Sequence, residues 1–264
     1  MYFTEAKLRQ ITADMEELIC RYKNRYYDLK KAVHTSAEYK VIWADGHNEP
    51  HRADYIFDFE IKGCERKIFK SEPKKKAFRS KHFYKNDQPV YSVCFDNYGD
   101  PAIEEFFVYE DASLICALFS LFDGKLIELY ETIYDEEHRP AEYRFADLHR
   151  YSVPVIDCCV YSYEGEHIVS AEVMREFNTA EKIMMYDDPL YENWRGRDIE
   201  YMLSTPFMNP ATVYTYEFIY GENGFPEEFA RTEYSHCTVT TGQWKTGKAI
   251  LKGFSQCGVK YFNK

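Results

Sequence analysis

One turn signature recurs along this chain and limits the folds that it can adopt. An aromatic residue is followed by small or charged residues, a residue able to adopt positive φ, one more residue, and proline. The copies occupy residues 43–50, 83–89, 95–101, 134–140 and 220–226 and contain five of the ten prolines. Aromatic and β-branched residues flank each copy, which is typical of strands. Because positive φ and a residue without an N–H favour tight turns, the signature predicts a run of β-hairpins.

Between these turns the apolar pattern has a period of two. It is clearest over residues 55–61, 90–95, 103–109, 126–134, 168–177 and 212–220. Residues 113–122 and 153–161 are instead apolar on both faces, so these strands should be covered on both sides. We therefore predict a mainly β fold, an antiparallel meander of β-hairpins that forms one large twisted or curled sheet.

The only long helical pattern lies at the N-terminus, over residues 4–33. Its apolar positions are Leu8, Ile11, Met15, Leu18, Tyr22 and Leu29. Their spacing of three, four and seven predicts one long amphipathic α-helix of about 45 Å packed on the sheet. In the alternative, the apolar stripe pairs with a second molecule and forms a homodimer.

The length of 264 residues is compatible with one large β domain. We predict a single domain over residues 1–264, with the helix in 1–35 and the hairpin-repeat sheet in 36–264. Residues 178–211 depart from the repeat and are expected to form an irregular excursion. Long irregular segments often carry function, and a plain connection is the alternative.

The cellular location is inferred from what the chain lacks. Its first residues do not follow the pattern of a signal peptide, and no later run approaches 18 uninterrupted apolar residues. The eight cysteines contain no Cys-x-x-Cys pair, and most lie in apolar, strand-like runs. We expect a cytoplasmic protein with free thiols and no membrane partner.

Charge is distributed unevenly along the chain. The net charge of −11 argues against nucleic-acid binding, which requires clustered Lys and Arg. Residues 96–147 contain 14 acidic and 3 basic residues, whereas residues 64–82 contain 8 basic and 2 acidic residues. Such asymmetry steers a charged partner, although solvated turns alone would also explain it.

No motif predicts catalytic, cofactor-binding or metal-binding residues. Residues 242–249 have the Gly and Lys positions of a P-loop, but Ala249 replaces the Mg²⁺-binding Ser or Thr, so a hairpin turn is predicted. His47 and His51 are separated by Pro50, and no third metal ligand is evident. A hydrolytic enzyme stays open as an alternative, because catalytic residues can converge only in space.

An aromatic stripe supports another alternative. Tyr214, Tyr216, Phe218 and Tyr220 alternate along one predicted strand. Exposed rings could bind a carbohydrate or a peptide, whereas buried rings would be ordinary cross-strand packing.

Residues 134–143 and 220–229 resemble the tyrosine-aspartate repeats of Rhs-type proteins and the MORN-like repeats of YwqK-type antitoxins. The resemblance implies a non-enzymatic, cytoplasmic immunity protein that covers the active site of a toxin. Nucleases are basic where they bind phosphate, so an acidic face would suit this role. The predicted partner is therefore a protein with a basic surface.

The predicted partner-binding residues lie around the turn at residues 134–140. Five carboxylates are expected to dock on the basic partner: Glu128, Glu131, Asp135, Glu136 and Glu137. Tyr130 and Tyr134 are expected to be the aromatic anchors.

Overall fold

The computed structural model describes residues 5–34, 38–45, 68–148, 155–165, 167–177, 213–220, 226–233, 238–245 and 248–256. Two N-terminal helices are α1 (Glu5–Tyr22) and α2 (Tyr26–His34). The strands are β1 (Lys40–Asp45), β2 (Ile68–Phe69), β3 (Arg79–Lys85), β4 (Gln88–Phe95), β5 (Pro101–Tyr109), β6 (Ser113–Ser120), β7 (Leu126–Tyr134), β8 (Pro140–Asp147), β9 (Val155–Glu164), β10 (His167–Phe177), β11 (Val213–Tyr220), β12 (Pro226–Glu233), β13 (Thr238–Lys245) and β14 (Lys248–Gln256). His47, His51 and the predicted excursion at 178–211 lie outside the described residues.

The strands form one antiparallel sheet. From β3 to β14 each strand pairs with the next one in the chain, which confirms the predicted mainly β meander. The order differs at one edge, where β1 lies between β2 and β3. The β13–β14 pairing places Lys245 opposite Lys248, so the P-loop-like sequence is a hairpin, as predicted.

The recurrent turn has a specific register. Its aromatic residue pairs with its proline in three copies, Phe95 with Pro101, Tyr134 with Pro140 and Tyr220 with Pro226, each next to a β-bulge. The residue two before proline has positive φ at Asp87, Gly99 and His138. Proline therefore begins the strand, where its missing N–H costs no ladder hydrogen bond.

Both faces of the sheet are apolar and buried near its middle. Along β6, Ile115, Ala117 and Phe119 belong to a core that also contains residues of both helices. Leu114, Cys116 and Leu118 belong to a separate core on the opposite face. We call these the helix-side core and the far-side core. The prediction that residues 113–122 and 153–161 form strands buried on both faces is confirmed for β6 and for the described part of β9.

The predicted single helix is two helices. The chain breaks at residues 23–25, where Arg25 N donates to Tyr22 O in a turn, and Leu29 N then bonds to Arg25 O as α2 begins. Asn24 favours this break because asparagine is a poor helix-interior residue that prefers turns. The break lets both helices pack on the sheet, α1 through Ile11, Met15, Leu18 and Tyr22, and α2 through Tyr26 and Leu29. Within the described ranges, no helix is long and apolar enough to cross a membrane.

Candidate functional site

The meander sorts its turns between two ends of the sheet. Neighbouring strands run in opposite directions, so the turns that follow β3, β5, β7 and β9 lie at one end. The turns that follow β4 and β6 lie at the other end. Residues far apart in the sequence therefore share an end, and residues close together are separated by the length of a strand.

The end formed by the turns after β3, β5, β7 and β9 is acidic. Its exposed carboxylates are those of Asp87, Glu110, Asp111, Glu136, Glu137 and Glu164. Arg21 of α1 pairs with Glu110 at 3.0 Å, and Lys40 pairs with Asp87 at 3.1 Å. Arg139 also pairs with Glu137 at 3.0 Å, so cations offset three of these six carboxylates, and Asp111, Glu136 and Glu164 carry the remaining negative charge. We call this surface the acidic end.

The turn at residues 135–139 is rigid and contains three of the predicted binding residues. Asp135 Oδ1 accepts from Glu137 N at 3.0 Å and from Arg139 N at 2.8 Å. Partial burial acts to raise the pKa of Asp135, but its hydrogen bonds to Arg139 and Glu137 hold it below its ordinary value. Arg139 also donates to Gly165 O at 2.5 Å and so links this turn to the next one at the same end. Asp135 therefore holds the turn, while Glu136 projects into solvent and the exposed Glu137 accepts from Arg139 Nη2 at 3.0 Å.

The two predicted aromatic anchors lie on the far side of the sheet. Tyr130 is only 5% exposed, stacks on Phe145 with ring centroids 4.7 Å apart, and donates to Glu128 Oε2 at 2.6 Å. Tyr134 packs against the same far-side core, and burial raises the pKa of its hydroxyl. Tyr130 therefore belongs to the interior, and Tyr134 is half-buried at the end of β7, with its ring against the far-side core.

Glu131 lies on the opposite face, beneath α1. Arg144 donates to Glu131 at 3.2 Å, to Glu142 at 2.5 Å and to Asp14 of α1 at 3.0 Å. Lys7 of α1 also contacts Glu142, at 3.4 Å. The seven predicted residues are thus divided among the helix side, the far side and a turn. Two of them are exposed, Glu136 and Glu137, and Glu137 pairs with Arg139 at 3.0 Å.

The ion-pair cluster around Arg144 fastens α1 to the sheet. The side chain of Arg144 is 6% exposed, so its charge requires nearby carboxylates. Burial acts to lower the pKa of Arg144, but Glu142 and Glu131 keep it above its ordinary value. Burial raises the pKa of Glu131, and Arg144 only partly opposes this effect. The cluster contains three carboxylates and two cations, so the negative charge of Glu131 is not fully compensated.

The acid-rich stretch at 96–147 does not form one face. Glu104, Glu105 and Glu142 are buried, Glu110, Asp111, Glu136 and Glu137 lie at the acidic end, and Asp96, Asp100 and Asp123 lie at the opposite end. Adding charges along the sequence therefore overestimated the charge of any single surface. In a meander, successive turns lie at alternate ends of the sheet. The order of the strands could therefore have assigned each turn carboxylate to one end.

Glu104 anchors α2, a role that its position in an acidic stretch did not indicate. It accepts from the hydroxyls of Tyr26 and Tyr91 and from Lys30 at 3.1 Å. Burial raises the pKa of Tyr91, and the hydrogen bond to Glu104 raises it further. The carboxylate is therefore fully used in joining the helix to β4 and β5.

A second buried polar group bears on the alternative of a hydrolytic enzyme. Residues opposite one another on β3, β4 and β5 are His82, Ser92 and Glu105, and His82 Nδ1 lies 2.8 Å from Ser92 Oγ. A base next to a hydroxyl could activate a nucleophile. However, Ser92 and Glu105 are 0% exposed and His82 is 1% exposed, so a substrate could not reach them. We assign the pair a structural role.

The aromatic stripe on β11 is buried at Tyr216 and Phe218 and half-buried at Tyr220. Tyr216 and Phe218 are 4% and 9% exposed and stack on each other in the far-side core. The side chain of Tyr214 lies outside the described residues. Buried rings of this kind favour cross-strand packing over a carbohydrate-binding ladder.

Metal binding is the remaining kind of site to consider. In the part of the chain that the structure describes, no group of three or more His, Cys, Asp or Glu residues could hold a metal ion. His47 and His51 fall outside that part.

Comparisons with known proteins add little to this geometry. No protein-family model matches the chain, and no curated protein matches it. Among solved structures, it is similar to the crystal structure of a porin-like protein from Bacteroides vulgatus, with a TM-score of 0.33 and 8% sequence identity. The similarity covers 72% of this chain and 90% of that chain. A TM-score this low carries no argument about fold or function.

Proposed function

We propose that this chain is a non-enzymatic, cytoplasmic protein-binding protein whose acidic end docks on a basic partner surface. The single observation that carries the proposal is the row of exposed carboxylates on four turns at that end. The other predicted acids are engaged within the protein. Glu131 contacts Arg144, Asp135 contacts Arg139, and the partly buried Glu128 accepts from Tyr130.

The dimensions of this row suit a protein partner. Paired strands are about 4.8 Å apart, so successive turns at one end are about 10 Å apart and four turns span roughly 30 Å. A row of that length approaches the width of a standard protein interface. The turns are held by hydrogen bonds such as those of Asp135, so docking would cost little ordering entropy.

The finer proposal is that the partner is a toxin domain and the chain its immunity protein. The resemblance of residues 134–143 and 220–229 to YwqK-type repeats supports this proposal. The charge of the acidic end also supports it, because enzymes that bind phosphate groups have basic active sites. Covering such a site would block substrate access without any chemistry by this chain.

The test compares two sets of charge-neutral variants. The acidic-end set is Asp111→Asn, Glu136→Gln and Glu137→Gln, and the control set is Asp28→Asn, Asp100→Asn and Asp123→Asn, all exposed residues away from the acidic end. The partner is first captured from the native host with the wild-type chain and identified, and its association rate is then measured at low and high salt.

We expect the acidic-end set to slow association about tenfold at low salt, since steering depends on net charge at the docking surface. The control set should change the rate by less than about twofold, and high salt should slow the wild type most. Equal rates for the two variant sets, with the same dependence on salt, would refute docking through the acidic end.

A further inference from the structure

Three aromatic rings project into solvent at the end of the sheet opposite the acidic end. Tyr98 lies in the turn after β4 and Phe122 in the turn after β6, and they are 83% and 87% exposed. Phe78 leads into β3 and is 56% exposed, and its N–H bonds to Asp96 O at 3.0 Å beside Tyr98. The turns after β4 and β6 are neighbours, because Leu121 N bonds to Ala102 O. We call this surface the aromatic end.

The backbone holds two of these rings outward. Asp96 Oδ1 accepts from the N–H groups of Tyr98, Gly99 and Asp100 at 2.8, 2.9 and 2.9 Å, which fixes the turn that carries Tyr98. Phe78 has φ of +54°, a conformation that bulky residues rarely adopt and that costs free energy. Apolar rings that the backbone holds in water contribute little to the folded core. Their exposure therefore favours a role in binding.

The segment that carries Phe78 is rich in lysine. Residues 70–78 connect β2 to β3 and contain four basic residues and one acidic residue. Lys70, Lys74 and Lys75 are exposed. Most nearby acids are already matched, since Asp45 pairs with Arg79, Glu72 with Lys76 and Asp123 with Lys125. Asp96, whose carboxylate accepts from the N–H groups of its own turn, and the exposed Asp100 keep their negative charges there.

We propose that the aromatic end is a docking surface for an anionic lipid bilayer. Aromatic rings settle at the boundary between headgroups and acyl chains, and lysines beside them are attracted to anionic lipids. Protein interfaces are depleted in lysine relative to the rest of the surface. The rings of Tyr98 and Phe122 also sit on turns about 10 Å apart, too far for stacking successive nucleic-acid bases.

The charge of the molecule would orient it at such a surface. The acidic end is repelled by anionic lipids and the aromatic end is attracted, so the acidic end would face away from the bilayer. The proposal does not depend on the acidic end having a protein partner. The sequence predicts no membrane partner because it has no continuous apolar run long enough for a spanning helix. The exposed rings are dispersed along the chain and give no such run.

The test is flotation of the full chain with two kinds of vesicle, phosphatidylcholine alone and equal parts phosphatidylcholine and phosphatidylglycerol. We expect binding to the anionic vesicles only, weakened by salt. Phe122→Ser with Tyr98→Ser should lower affinity about tenfold, and Lys74→Gln with Lys75→Gln should lower it by a similar factor. Circular dichroism checks that each variant is folded.

Matched controls lie outside the aromatic end. Ile219→Ser removes another exposed apolar side chain, 61% exposed, and Lys23→Gln with Lys85→Gln removes two exposed lysines. These variants should bind as the wild type does. Phe122→Trp should add fluorescence that brominated acyl chains quench, which reports insertion of this turn.

Several results would overturn the proposal. These are no binding to anionic vesicles, equal binding by the ring variants and the Ile219→Ser control, or binding of Phe122→Trp without quenching. Binding of a single-stranded oligonucleotide through Lys74 and Lys75, with no binding to vesicles, would assign the surface to nucleic acid instead.

Discussion

At the scale of single residues, the recurrent turn depends on backbone conformations that most side chains disfavour. Gly99 has φ of +90°, and a Cβ at this position would lie 3.4 Å from Ala77 N. That distance is an ordinary contact, so the backbone conformation, rather than crowding, makes glycine necessary here. His138 and Asp87 occupy the matching position with φ of +60° and +59°, which shows that the turn tolerates other residues nearer the left-handed helical region.

We predict that Gly99→Ala lowers the free energy of unfolding by about 1–2 kcal/mol, because an L side chain is strained at this φ. Denaturant unfolding measures the change. Asn97→Ala, an exposed position in the same turn, is the control and should change stability by less than about 0.5 kcal/mol. Equal effects of the two substitutions would contradict the assignment of strain to Gly99.

The turn positions could be predicted because proline and positive φ are local properties. The burial of the acids could not. Glu104, Glu131 and Glu142 resemble the solvated Glu136 and Glu137 in sequence, and only the pairing of distant elements shows the difference. Glu104, for example, meets Tyr26 of α2, 78 residues earlier.

At the scale of elements, the contact between α1 and the sheet combines an apolar stripe with the ion-pair cluster around Arg144. The stripe was predictable from its spacing, whereas the ion-pair cluster was not, because Asp14 and Arg144 are 130 residues apart. The break between α1 and α2 was also missed. Apolar periodicity spans residues 23–25, from Tyr22 to Tyr26, and Asn24 is only a weak local signal against it. The bend is shown by the contact of Tyr26 with Glu104.

The ion-pair cluster around Arg144 should make the free energy of unfolding depend on pH. Burial raises the pKa of Glu131 above its ordinary value, so the folded state binds its proton more tightly than the unfolded chain does. This contribution to stability is present below the unfolded pKa and is lost as pH rises through the folded pKa. Ionised Glu131 is therefore unfavourable at neutral pH.

We accordingly predict that Glu131→Gln raises the free energy of unfolding at pH 7 by up to about 1 kcal/mol, and that the gain vanishes as pH falls below about 4. Glu142→Gln should do the opposite and destabilise, since Glu142 contacts both Arg144 and Lys7. Glu17→Gln, at a 77% exposed side chain of α1, is the neutral control. Urea unfolding across this pH range distinguishes them, and a loss of stability in Glu131→Gln at pH 7 would disprove the interpretation.

At the scale of the whole molecule, the meander converts a linear charge pattern into two unlike ends. The acidic end and the aromatic end both follow from the alternating direction of the strands, so a correct meander is enough to sort the turns. The position of β1 between β2 and β3 does not follow from this rule. Its neighbours were therefore not predictable from hairpins alone.

Several phenol groups are buried or half-buried, and they predict how the molecule unfolds in alkali. Burial raises the pKa of the hydroxyls of Tyr22, Tyr26, Tyr91, Tyr109, Tyr134, Tyr163 and Tyr220, that of Tyr163 to about 12. An unfolded tyrosine loses its proton near pH 10. Below that pH both states hold the proton, and the stabilising contribution is fully present.

Above pH 10 the unfolded chain binds fewer protons than the folded one, so stability falls as pH rises. A buried tyrosine such as Tyr91, 4% exposed, contributes up to about 1.4 kcal/mol per pH unit to this fall. We predict a steep, cooperative unfolding between about pH 10 and 12 in which circular dichroism and phenolate absorbance change together. Tyr98→Phe, at an 83% exposed ring, should leave the midpoint unchanged, whereas Tyr91→Phe should make the transition shallower. Phenolate absorbance that rose fully near pH 10, well before the loss of ellipticity, would mean that these hydroxyls are not protected by the fold.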